Sequence, residues 1–145
     1  MKRTIPVTAL IMFALASCQD ITRPGTATVQ VVTTKEVFDR EPSSGAAISF
    51  SVTNQGTRTV YIARCADEIL SAADRSENGI WVEYSAGLCL AVLDRSPIPL
   101  GPGETLESAR WLSEPGEYRL RIGVSPDPAG TPDWSATSND FSVVG

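Results

Sequence analysis

Residues 46–54 (AAISFSVTN) alternate without a break: Ile48, Phe50 and Val52 fall on one side, Ser49, Ser51 and Thr53 on the other. A period of two with one apolar face belongs to a strand half-buried against a core. The pattern recurs along the chain. Residues 26–34 (TATVQVVTT) are β-branched nearly throughout, with Val29 and Val31 sharing a face. Asn54-Gln55-Gly56 is turn chemistry, after which residues 57–64 place Val60 and Ile62 inward. Asn78-Gly79 introduces residues 80–84 (IWVEY), and residues 88–93 (LCLAVL) follow. Residues 104–112 alternate less cleanly. In residues 117–124, Tyr118, Leu120, Ile122 and Val124 share one face, while Arg119 and Arg121 read as an exposed, salt-bridged face. Residues 135–144 close the series with Phe141 and Val143 inward. Proline and glycine clusters at 97–103, 114–116 and 125–133 punctuate the runs. Eight short strands with turns between most of them predict an all-β sandwich of about seven to eight antiparallel strands. One stretch, residues 67–74 (DEILSAAD), reads as helical, two turns crossing between sheets.

The amino-terminal segment has a different grammar. Lys2 and Arg3 precede an apolar run from Ile5 to Ala16. As a helix, twelve residues rise about 18 Å, short of the roughly 30 Å hydrocarbon layer, so the run reads as a secretory signal and not a span. Its exit has two readings. Ala14-Leu15-Ala16 suits ordinary signal-peptidase cleavage after Ala16. Alternatively, Leu15-Ala16-Ser17-Cys18 resembles the lipobox of bacterial lipoproteins. That resemblance implies a diacylglycerol thioether on Cys18, cleavage before it and acylation (palmitate) of the new amine. A thiol is the side chain suited to that transfer, because thiolate sulfur is a strong nucleophile. The acyl lipid on Cys18 would be the chain's membrane attachment and its sole covalent group, with no small-molecule cofactor. Gln19 follows where an inner-membrane lipoprotein tends to carry Asp, which by the same resemblance favours the outer membrane, facing the periplasm or the cell surface.

The expected organisation is a signal peptide over residues 1–17, a lipidated tether over 18–25 and one domain over 26–145. Removing seventeen residues from 145 leaves 128, enough for a single core. Ten basic and 17 acidic residues remain, a net charge of −7. Such a domain has no electrostatic footprint for nucleic acid and no polybasic attraction to anionic lipid. Cys65 and Cys89 form an even pair in an exported chain, for which a disulfide is the default reading.

Around Glu114-Pro115-Gly116-Glu117-Tyr118 the chain resembles the immunoglobulin-like superfamily. A tyrosine opening the penultimate strand is similar to the tyrosine corner, whose hydroxyl bonds back to upstream backbone. Leu100-Gly101-Pro102-Gly103-Glu104 resembles the lead-in of bacterial envelope domains of that class, and residues 138–143 resemble their last strand. An antibody-type disulfide joins strands B and F. Here Cys65 ends the third strand and Cys89 begins a later one, so the bridge instead pins the intervening excursion.

Chemistry is sparse. With no histidine, triads and His-metal sites are absent from the sequence. Carboxylate pairs Asp67/Glu68, Glu104/Glu107 and Asp127/Asp133 read as solubilising acids, and Asp127, Asp133 and Asp140 as turn residues before calcium ligands. Neither a catalytic residue nor a metal is assigned. Trp134, with Asp133 and Pro128 in the same proline-rich connection, is the candidate partner contact, weighed against a role capping the core. Trp111 and Tyr118 flank the 112–117 corner and read as core; Trp81 sits on a strand with one partly buried face. The leading expectation is a non-enzymatic envelope lipoprotein that binds or assembles with an envelope protein or polysaccharide. The alternative is a protease inhibitor, since the carboxy-terminal half is also similar in layout to the intracellular proteinase inhibitor family; residues 125–133 would be the inserting loop.

Overall fold

A computed structural model describes residues 28–90 and 93–145. The signal, lipobox and tether expected over residues 1–25 lie outside these residues. The described chain is all-β, an immunoglobulin-like sandwich of two layers.

The first layer is a three-stranded antiparallel sheet in the order β1 (Val29–Thr33), β3 (Ala46–Asn54), β10 (Thr105–Leu112). Its buried row is the one the alternation predicts: Ile48, Phe50 and Val52 are buried, while Ala47 and Ser49 are exposed. The second layer is built around β11 (Gly116–Ser125). On one flank β11 pairs with β4 (Val60–Ile62) at Ser125 and Val124, then with β7 (Ser71–Glu77) from Ile122 to Tyr118. On the other it pairs with β12 (Asp133–Thr137) and then β13 (Phe141–Val144). Each flank is thus one strand position filled by two segments. β8 (Ile80–Ser85) adds to β7, and β9 (Ile98–Leu100) adds to β4. After β1 the chain crosses between layers, so β2 (Val37–Asp39) runs parallel to β13 in the second sheet.

The interruption between β12 and β13 is bridged by side chains. Ser138 Oγ accepts the Leu120 amide at 2.9 Å, and Asn139 exchanges bonds of 2.9 and 2.8 Å with the Thr33 amide and hydroxyl. Residues 135–144, expected as one strand, are therefore two. The other interruption, residues 63–70, holds a small hairpin of β5 (Arg64–Cys65) and β6 (Glu68–Ile69).

Three expectations are corrected. Residues 67–74 are not helical: they form β6 and the start of β7, because pairing with β11 satisfies the backbone and buries Ala72 and Ala73. That tertiary gain outweighs the helical leaning of an alanine pair. Leu88–Leu90 form no strand, since no neighbouring backbone pairs with them. Trp111 is not core but 61 % exposed, on the outer row of β10 opposite Ala47.

Tyr118 is buried, stacked with Phe141 at 6.1 Å and edge-on to Tyr84 at 5.3 Å. Its hydroxyl donates to the Glu114 carbonyl at 3.0 Å, closing the corner before β11. Burial pushes the phenol up to about 12, and the neighbouring Tyr84 adds to the rise. Tyr118→Phe should cost about 1 kcal/mol at neutral pH through the lost hydrogen bond. A phenol raised above its unfolded value of about 10 contributes fully below that pH and loses its contribution as pH climbs towards 12. Urea denaturation over this range should show the decline in the wild type and its absence in Tyr118→Phe; equal decline in both would place the alkaline lability elsewhere.

Candidate functional site

A concave surface lies along one side of the sandwich, where the edge of the first sheet meets the β5–β6 hairpin and Ala86, Leu88 and Leu93. It encloses about 650 Å³. Its floor is Arg110. Inward-facing on β10, this side chain crosses to the other sheet: Nη1 donates to the Ser71 carbonyl and hydroxyl, and Nη2 donates to Ser85 Oγ at 2.6 Å. Burial works against its charge and lowers its pKa, and its Nε has no acceptor. The four acceptor atoms on two serines make Arg110 a clamp between the layers rather than a free cation.

Part of the rim is apolar. Leu88, 84 % exposed, and the exposed Leu93 and Trp111 line it, beside the acidic Asp67 and Glu68. Large apolar side chains gathered at an open groove mark a contact surface more readily than single exposed ones do. The backbone under them is held by the Cys65–Cys89 disulfide. Two further ties act beside it: Arg64 pairs with Asp94, and the Ala66 amide donates to the Asp94 carbonyl at 2.8 Å. Residues 63–70, 86–90 and 93–97 are thereby one stapled unit.

A second cluster occupies the outer face of the other sheet. The largely buried Asp74 carboxylate accepts from Arg119 Nε at 3.1 Å and Arg121 Nε at 2.9 Å. Arg121 also reaches Glu83 at 2.7 Å, and Arg119 stacks over Trp81 at 4.7 Å from the ring centre. The arginine face expected from the alternation is present and internally paired.

Trp134, expected on a loop, lies on β12. Its indole passes over Gly123 and reaches Gly87, where an added Cβ would sit 2.8 Å from the ring, so a side chain there is excluded. It thus packs the stapled unit against the sheet. Asp133 accepts from Ser135 Oγ at 2.9 Å, and Pro128 sits in an exposed turn. That turn is folded on itself: Asp127 accepts the Ala129 and Gly130 amides at 2.8 and 3.0 Å, and its carbonyl accepts Ser125 Oγ at 2.7 Å. Glu104 similarly accepts the Gly101 amide at 2.6 Å. Among the described residues no group of three or more Cys, Asp or Glu is placed to hold a metal ion. The groove went unread in the sequence because Arg110 occupies a core-facing register position. Counting back two residues from the buried Leu112 places Arg110 inward and Trp111 outward.

No family model matches the chain, and no curated protein matches it. Among solved structures, a CARDB domain from Pyrococcus furiosus, in complex with di-metal ions, aligns over 81 % of this chain and 89 % of its own at 17 % identity, TM-score 0.37. The ASH/PapD-like domain of human CEP192 aligns over 97 % and 94 % at 12 % identity, TM-score 0.35. A β-glucosidase from Listeria innocua, in complex with glucose, aligns over 83 % of this chain at 12 % identity, TM-score 0.35, and this chain spans 16 % of that enzyme.

Closing a loop with 24 residues of sequence separation stabilises a fold by about 3.5 kcal/mol on the chain-entropy account. The Cys65→Ser/Cys89→Ser double variant should lose about that amount in chemical denaturation. Hydrogen exchange should quicken in residues 63–70 and 86–97 while β3 and β11 stay protected; uniform loss of protection would contradict a local staple.

Proposed function

We propose that this chain is an exported bacterial envelope lipoprotein, anchored through acyl groups on Cys18, whose immunoglobulin-like domain works without catalysis by holding an envelope protein or polysaccharide. The observation that carries the reading is the cysteine inventory. Cys65 and Cys89 pair with each other, which suits an oxidising compartment outside the cytoplasm. The remaining thiol, Cys18, stands behind an apolar run at the lipobox position. Two or three acyl chains on one residue exceed the marginal hold of a single chain. Gln19 favours the outer membrane, facing the periplasm or the surface.

A binding role fits the side chains better than catalysis or inhibition. Glu104 and Asp127 in the turns at 101–104 and 125–132, and Asp133 at the start of β12, accept local amides or hydroxyls. Residues 125–132 are curled around Asp127, whereas a loop entering a protease cleft must be extended. Leu88, Leu93 and Trp111 on the groove rim supply exposed apolar area at which contacts are strong.

Labelled palmitate added to cells expressing the full chain should enter the wild type and be lost in Cys18→Ala. Secretion of an unlabelled chain cleaved after Ala16 would replace the anchored reading with a soluble one.

A further inference from the structure

The chain enters the sandwich at Thr28, whose carbonyl accepts the Gln55 amide at 2.9 Å. The connections around that entry point are residues 54–59, 101–104 and 125–132. Buried Asn54 stitches two of them, with Nδ2 donating to the Arg58 and Leu100 carbonyls at 2.7 and 2.9 Å and its own carbonyl accepting the Gly103 amide at 2.8 Å. Tyr61 opposite Ser125 brings in the third. Residues 41–45, 78–79 and 113–115 and the carboxy terminus lie at the other end. The ten residues of β11 separate the two ends by roughly 33 Å.

We propose that the entry end, formed by residues 54–59, 101–104 and 125–132, is the surface that faces the lipid headgroups, and that the opposite end points away from the bilayer. This inference rests on the Cys18 anchor proposed above. Nine residues, ten peptide steps, separate Cys18 from Thr28. Ten steps reach at most about 35 Å, and a random coil of that length averages about 15–20 Å. Standing on the entry end keeps the tether near its relaxed span. Inversion lifts Thr28 by a full strand length of about 33 Å and stretches the tether to its limit.

The chemistry of the entry end agrees with contact at headgroup level and no deeper. It carries Arg58 against Glu104, Asp127 and Asp133, so neither a basic patch nor a cluster of large apolar side chains pulls it inward. Prolines 126 and 128 flank Asp127 and restrict the backbone of the exposed tip. In this orientation residues 125–132 are withdrawn from a bulky soluble partner. Trp111, paired with Ala47 near the outer end, remains open.

The test uses the full acylated chain in phosphatidylcholine vesicles bearing a headgroup nitroxide, with a bimane on Ala129→Cys or on Ser43→Cys. Both sites are exposed turn positions, one at each end. Quenching at residue 129 should exceed that at residue 43 several-fold. Co-flotation with vesicles but equal or reversed quenching would overturn the orientation alone. Failure of the full chain to float, or flotation that persists in Cys18→Ala, would overturn the anchor and the orientation with it.

Discussion

Strand β11 is bonded along both flanks, and the second layer has no other spine. Its row of Tyr118, Leu120 and Ile122 is buried against the first sheet, while Arg119 and Arg121 on the opposite row pair with Asp74. Backbone pairing on both sides satisfies a buried strand's amides and carbonyls, which otherwise cost the full penalty of desolvation. The neighbours need not be continuous for that purpose, and here they are not. β4 with β7, and β12 with β13, each share one flank.

The two breaks are resolved by different means. On one flank, Ser138 and Asn139 supply the missing bonds from side chains, so the interruption stays flush with the sheet. On the other, eight residues leave the sheet and return, and covalent and ionic ties hold them to Cys89 and Asp94. The groove is the consequence. Arg110 crosses it to Ser71 and Ser85, taking the place of apolar packing where the edge of the first sheet lacks a neighbour. An inward charge at an edge also discourages uncontrolled strand pairing.

Architecture and candidate function are physically separate in this molecule. The groove lies on the flank, Trp134 is spent on packing the staple, and the connection singled out as a contact loop sits beside the point where the chain enters. Under the proposed Cys18 anchor, that last fact would become a direction relative to the membrane, because reach is set by residue count while the entry point is set by strand order.

Much of the fold is legible in the sequence. Period-two alternation marks β1, β3 and β11 with their inward rows, the Pro-Gly turns mark the ends of several strands, and the even pair of cysteines implies the Cys65–Cys89 bridge. These are local or compositional properties, set by backbone geometry and residue type. What tertiary structure alone decided is which segments find partners. Residues 71–75 become a strand because β11 waits for them, against the helical leaning of their alanines. Leu88–Leu90 fail to become one although their pattern suits it, because no backbone pairs with them. Arg110 is held half-buried because two serines from the opposite sheet receive it. Strand pairing and burial of charge are relations between distant residues, and no single stretch of sequence contains them.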